Sequence, residues 1–253
     1  MTTIRDIDTY ITELCPRDLS EGWDNDGVMC LPKEDTPVKR VLCTLDVTAP
    51  VVEHAVTGGF DLILSHHPLV FSGVKAITPW NAVSSALLRL IEANVAVFSF
   101  HTRLDGATDG VNDGLCRLLG LTETAPLGEG EAALGRVGDL PSPVPFDDFI
   151  AMVKEKLGAP ALCGKKMTDT VRRVAVVGGE GKDFIGDARA VGADVYLSGR
   201  LGYHAMLDAP LSVLEMGHYD SEKHAALLLE ERVKRLLPDC ETEIYTPNLL
   251  AIY

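Results

Sequence analysis

The chain is 253 residues long, 46% hydrophobic and 24% charged, an ordinary globular composition that excludes a disordered, collagen-like or disulfide-stapled miniature fold. Such a length accommodates one large domain or two modest ones. Its 37 acidic against 23 basic residues give a formal charge of −14, a field that repels phosphate backbones and anionic membranes and attracts cations.

In chain order, residues 3–14 predict an amphipathic helix. The opening stretch MTTIRDIDTYITELC is interrupted by Arg5, Asp6, Asp8 and Glu13, so neither signal peptide nor anchor is expected, and cytoplasm is the default. Val41–Leu45, Leu62–Ser65 and Val95–Phe100 read as buried strands, separated by helical segments near Val51–Thr57 and Val83–Ala93. A further helix follows Val111. From Glu123 to Pro145 the composition turns to Gly, Pro and Ala, which suits a connection between lobes, with GRVGDL at 135–140 as a short strand inside it. The second half then alternates again: a helix at Phe146–Leu157, a strand at Val174–Val177, a helix around Phe184–Val191, strands at Asp194–Leu197 and Val213–Met216, and a long helix at Ser221–Leu237. The tail ETEIYTPNLLAIY suits a last edge strand. This alternation predicts an α/β protein with largely parallel sheets, in two lobes at 1–122 and 123–253. No segment approaches the roughly 18 apolar residues of a membrane span. The six cysteines, at 15, 30, 43, 116, 163 and 240, show neither C-x-x-C nor zinc-finger spacing and are expected to be buried and reduced.

An internal repeat relates the two lobes. Shifted by 133, residues 38–65 (VKRVLCTLDVTAPVVEHAVTGGFDLILS) fall without a gap on residues 171–198 (VRRVAVVGGEGKDFIGDARAVGADVYLS), with eight of 28 positions identical. The next strand in each half then runs into a histidine followed four residues later by a carboxylate. Two β-α-β units can share Val/Leu strands by chance, but the recurrence of a whole G-x-D-x-x-L-S ending favours duplication.

Of seven histidines, four (His66, His67, His101 and His218) stand at the ends of apolar β-runs, where open α/β sheets bind ligands. LSHHPLVF supplies two adjacent imidazoles. HTRLD and GHYDSE supply His101 with Asp105 and His218 with Glu222, each spaced i, i+4 and therefore on one face of a helix. Imidazole and carboxylate without thiolate suit zinc, iron, manganese or nickel. Six candidate ligands exceed what one catalytic ion needs, which points to two ions sharing a carboxylate.

These segments, with GWDNDG (22–27) upstream and HTRLDGATDGVND, resemble the NIF-three-like dinuclear-metal family, whose members are often labelled GTP cyclohydrolase I type 2 homologues. The resemblance covers almost the whole chain, in order. It implies that His67 and Asp105 bind one metal, that His66 and His218 bind the other, and that Glu222 bridges both. It makes His101 an additional ligand or proton shuttle, and His204 an outer-site residue that donates to substrate or orients a ligand. It also implies a homohexameric ring with its metal sites facing an internal cavity, in a short form without the inserted domain of longer relatives. One departure is Arg200, where many relatives carry an acidic residue; a helix-capping role is the simpler reading, an anion contact the other.

Other motifs are weaker. VAVVGGEGKDF fails both G-x-G-x-x-G and the P-loop pattern and suits a tight strand-to-helix turn. Ser65 and Ser198 lie outside any G-x-S-x-G and are not nucleophile candidates. The expected function is therefore a metal-dependent hydrolase of a small molecule, with a metal-bridging hydroxide as nucleophile and His101, His204 and Glu222 as its catalytic groups. The alternative is a non-catalytic metal-binding or metal-delivery ring. His218 and Glu222 are expected to complete, within one chain, a site begun by the N-terminal half. The substrate is open, and nucleic acid and membrane are disfavoured as partners.

Overall fold

The computed structural model describes residues 2–128 and 133–250. The chain folds as two compact units. The first takes residues up to Ala107 and again Ala225–Leu249; the second is built on Thr108–His224.

The first unit opens with α1 (Ile4–Leu14), which buries Ile4, Ile7 and Ile11 at the three- and four-residue spacing of a helix face. β1 (Gly27–Cys30), β2 (Arg40–Thr44), α2 (Ala49–Gly58), β3 (Leu62–Ser65), α3 (Ala82–Ala93), β4 (Ala96–Ser99) and the short α4 (Thr102–Gly106) follow. The second unit contains α5 (Val111–Leu119), β5 (Thr122–Leu127), β6 (Gly135–Pro145), α6 (Phe146–Leu157), β7 (Cys163–Lys165), β8 (Thr170–Glu180), α7 (Ile185–Ala190), β9 (Val195–Arg200), α8 (Tyr203–Asp208), β10 (Ser212–Glu215) and α9 (His218–Glu222). α10 (Ala225–Leu236) and β11 (Glu241–Ile244) then return to the first unit.

The first sheet has the order β1-β4-β3-β2-β11 and is parallel except for β1, which runs antiparallel to β4. Leu42, Ile63 and Val97, one from each central strand, pack on Val51, Val52 and Ala55 of α2 and Leu87 and Leu90 of α3. The second sheet has the order β5-β6-β8-β9-β10-β7. Only β8, β9 and β10 run parallel in it, and β5, β6 and β7 pair antiparallel. It is covered on both faces. Val174 and Val176 join one core with Phe149 and Val153 of α6, and Ala175 and Val177 join the other with Ala188 of α7, as the two-residue period of a strand requires. The α/β class is as expected, while largely parallel pairing holds for the first sheet and not the second.

Three other expectations are corrected. Residues 123–145, expected as a connection, are mostly the antiparallel pair β5–β6, with 129–132 outside the described residues. Their prolines are tolerated because Pro126 lies on an edge strand and Pro141 and Pro143 lie within the break in register between Asp139 and Val144. The compact units themselves divide between Ala107 and Thr108, and the last helix and strand belong with the first unit. The long helix expected at 221–237 is two helices, α9 and α10, divided where the chain passes from one unit to the other. Cys15, Cys30, Cys43 and Cys116 are buried and unbridged as expected, but Cys163 is exposed and Cys240 partly so. Burial pushes the Cys30 thiol up to about 11 and that of Cys116 up to about 12, so neither is a ready thiolate. Among the described residues no helix is long and apolar enough to cross a membrane.

Candidate metal centre

In the first unit three strands deliver their C-terminal ends side by side. His66 and His67 continue β3, their backbone N–H groups donating to Thr44 O at 3.2 Å and Leu45 O at 2.9 Å, so the pair sits at the same sheet end as Asp46. His101 follows β4 directly and forms the N-cap of α4. The three imidazoles cluster with centroids 5.1, 5.4 and 5.6 Å apart, and each offers a nitrogen within 4.8 Å of those of the other two.

The Nδ1 atom of each ring meets an oxygen acceptor: Phe100 O at 2.8 Å for His66, Asp46 Oδ1 at 2.7 Å for His67, and Asp24 Oδ1 at 2.9 Å for His101. An oxygen that can only accept takes the proton on Nδ1, so in the neutral ring Nε2 carries the lone pair that can bind a metal ion or accept a proton; such outer partners orient ligating histidines. Asp105, on α4, lies with Oδ1 3.5 Å from His66 Nε2. His66 and Asp105 are both buried.

GWDNDG (22–27) contributes two carboxylates that hold His101 and the start of α4. Asp24 Oδ2 accepts from the backbone N–H of Thr102 at 3.1 Å and its hydroxyl at 2.7 Å, while Asp26 Oδ2 accepts from the His101 N–H at 3.1 Å. Burial pushes the Asp24 carboxyl up, but hydrogen bonds from His101 and Thr102 outweigh it and hold the group at about 2. Asp26 is raised by burial despite Arg103, whose buried guanidinium pairs with it at 2.7 Å and lies 4.3 Å from the Phe100 ring centroid. Asp24, Asp26, Asp46 and Arg103 were not among the sequence-predicted site residues. The acidic motif was a signal for the first two, whereas Asp46 needed the register of β2 against β3.

In the second unit α9 places His218 Nε2 2.8 Å from Glu222 Oε2, the one-face contact that i, i+4 spacing predicts. Glu222 is buried, with its side chain against the glycines that end β8. A Cβ at Gly179 would stand 2.5 Å from Glu222 Oε1, and Gly179 has a φ of +62°, so both space and backbone require glycine there. The glycine-rich turn is closed to phosphate: the N–H groups of Gly178, Gly179 and Gly181 donate to Asn112 Oδ1, Ser221 Oγ and Arg200 O at 2.8, 3.0 and 3.1 Å. His204 is exposed on α8, its ring edge-on to Tyr203, and Arg200 is exposed at the end of β9. Among the described residues His204 falls in no cluster of three or more ligating side chains.

The donor set fits a divalent first-row cation. Three oriented imidazoles and a carboxylate, with no thiolate among them, are borderline ligands of the kind zinc, iron, manganese and nickel accept. The His66, His67 and His101 cluster is thus able to hold a metal ion.

Known proteins resemble this chain along most of its length. The family model described as Duf34/NIF3 (NGG1p interacting factor 3) matches residues 2–248. A Clostridium perfringens protein named GTP cyclohydrolase 1 type 2 homolog is 32% identical over 243 residues, 92% of either chain. A Schizosaccharomyces pombe protein named NIF3 homolog is 30% identical over 224 residues, 81% of this chain and 79% of its own. Among solved structures, a Staphylococcus aureus protein superposes with a TM-score of 0.89 at 25% identity, covering 100% of this chain and 99% of its own. Reduced HcgD from Methanocaldococcus jannaschii superposes at 0.82 with 28% identity, covering 96% and 97%. With a match running from residue 2 to residue 248, this chain belongs to the Duf34/NIF3 family.

Proposed function

We propose that the protein is a metal-dependent hydrolase of a small molecule, holding two divalent ions on His66, His67, Asp105, His218 and Glu222. Glu222 is the carboxylate common to both ions, and His101 and His204 move protons. The observation that carries this reading is the cluster of His66, His67 and His101, which offer nitrogens within 4.8 Å of one another and each hold Nδ1 on an oxygen acceptor. Divalent ions held by such donors supply Lewis acidity, which makes water more acidic and polarises a carbonyl or phosphoryl oxygen.

The side chains do the rest. Phe100 O, Asp46 and Asp24 fix the tautomers and ring orientations, so binding needs no rearrangement of the rings. Buried Glu222 stays in place because the glycines at 178 and 179 leave it room. His101, less tightly enclosed than His66, receives at Nε2 the proton that an attacking water gives up. Exposed His204 donates to the leaving group, and Arg200 offers a cation to an anionic substrate. Relatives named GTP cyclohydrolase homologues make purine nucleotides the first substrates to test, alongside phosphodiesters. The assembly is a homohexamer, to be checked by light scattering.

The decisive experiment combines metal analysis of the purified protein with turnover assays on that panel. Metal-dependent turnover that Glu222→Gln abolishes supports the reading. Two bound ions per chain with no turnover on any substrate would instead favour the metal-delivery scaffold. If the protein takes up no divalent ion and Glu222→Gln changes nothing, the dinuclear site itself is wrong.

A further inference from the structure

Two large, exposed aromatic side chains stand at the imidazole cluster. Trp23 is 63% exposed and Phe71 54% exposed. Their rings and that of His101 form a triangle with centroids 6.2, 6.3 and 6.3 Å apart and interplanar angles of 60°, 79° and 85°. None of the three is stacked face to face on another.

The pair is also held in place. On one side of Trp23 the Glu21 N–H donates to Thr102 Oγ1 at 3.0 Å, and on the other Asp24 accepts from His101 and Thr102, so the tryptophan backbone is tied at both flanks to the start of α4. The Asn25 side-chain amide donates to Val70 O, joining the loop of Trp23 to that of Phe71. Leaving a tryptophan and a phenylalanine this exposed forgoes the gain that burial would bring. Holding them rigidly beside a polar donor cluster pre-organises a wall that a flat group can cover at little entropic cost.

Resting on the hydrolase reading above, we infer that Trp23 and Phe71 form a ring-binding subsite next to the metal-ligating imidazoles, and that the substrate carries a planar aromatic or heteroaromatic group beside the bond to be cleaved. A ring, rather than an aliphatic chain, is favoured because stacking on an aromatic face adds to the area term. The chain's charge of −14 favours a substrate with few negative charges over a polyphosphate.

Binding separates this inference from catalysis. In a Trp80→Phe background Trp23 is the sole tryptophan, and its fluorescence follows titration of the metal-loaded protein with purine and pyrimidine nucleoside monophosphates; calorimetry follows ribose 5-phosphate, which carries the same phosphate without a ring. The expected result is about tenfold tighter binding of at least one ring-bearing ligand than of ribose 5-phosphate. By calorimetry, Trp23→Ala and Phe71→Ala each erase that preference at unchanged metal content, and Trp23→Phe retains most of it. Equal binding with and without the ring, binding of neither, or a preference that survives Trp23→Ala in a folded, metal-loaded protein overturns it. Ring-selective binding without turnover on any substrate would remove the hydrolase reading and leave the subsite standing; turnover of ring-less phosphoesters without ring preference would do the reverse.

Discussion

His101 is fixed through its ring by Asp24 and through its backbone by Asp26, and Asp24 in addition accepts two hydrogen bonds from Thr102. One carboxylate therefore sets both the tautomer of His101 and the start of the helix that carries Asp105. Asp24→Asn keeps the shape but exchanges a charged acceptor for a neutral one, with an amide N–H turned against existing donors. We expect roughly tenfold weaker metal binding, read by competition with a chromophoric chelator. At Gly179 a methyl group meets Glu222 Oε1, and the positive φ adds strain. Gly179→Ala should lower stability by about 1–3 kcal/mol in urea unfolding and reduce metal uptake along with it. The histidines and their carboxylates were legible in the sequence because strand ends and i, i+4 spacing are local properties. Asp46 was not, because its partner His67 lies 21 residues away and only strand pairing brings the two together.

At the scale of elements, α10 and β11 are joined by Glu230, which receives hydrogen bonds from Lys234 at 2.8 Å and Thr242 at 2.8 Å. Burial pushes its carboxyl up, but those two partners outweigh it and leave it below the ordinary range. A carboxyl lowered on folding contributes stability above its unfolded value, and the contribution is lost as pH falls through the folded value. Glu230→Gln should therefore cost about 1 kcal/mol at pH 7, with the gap to the parent closing below about pH 4 in pH-dependent thermal melts. The longer helices and the central strands were readable from periodicity, apart from the division between α9 and α10. What escaped was pairing direction: β5 and β6 carry glycines and prolines, the residues of a linker, because an edge strand and a break in register do not need every N–H. The short β1, β7 and α8 escaped because three to six residues leave too little pattern to detect.

Across the whole molecule, the 133-residue repeat has a hydrogen-bonding explanation. Asp61 Oδ2 accepts from the backbone N–H groups of Lys39 and Arg40 at 2.8 and 3.0 Å, and Asp194 Oδ2 accepts from those of Arg172 and Arg173 at 2.9 Å each. Gly59 and Gly192 turn the chain at φ of +67° and +72° two residues before each aspartate. These identities preserve one corner, where a helix hands over to its strand, in both units. Asp61→Ala and Asp194→Ala should each destabilise by about 1.5–3 kcal/mol, measured by denaturant unfolding, since each removes a charged acceptor from two backbone donors. Domain boundaries were the least legible feature, because composition marks where the chain is glycine-rich and not which unit it rejoins. The first unit recovers its last strand only after the 117 residues of Thr108–His224 have been made. β2 ends at Thr44 and β11 at Ile244, so at ~5–20 residues per second the edge of β2 awaits its partner for roughly 10 to 40 seconds of synthesis. A nascent chain thus finishes the second unit before the first and carries an open strand edge meanwhile, which makes the early product, rather than the finished protein, the species most in need of a chaperone.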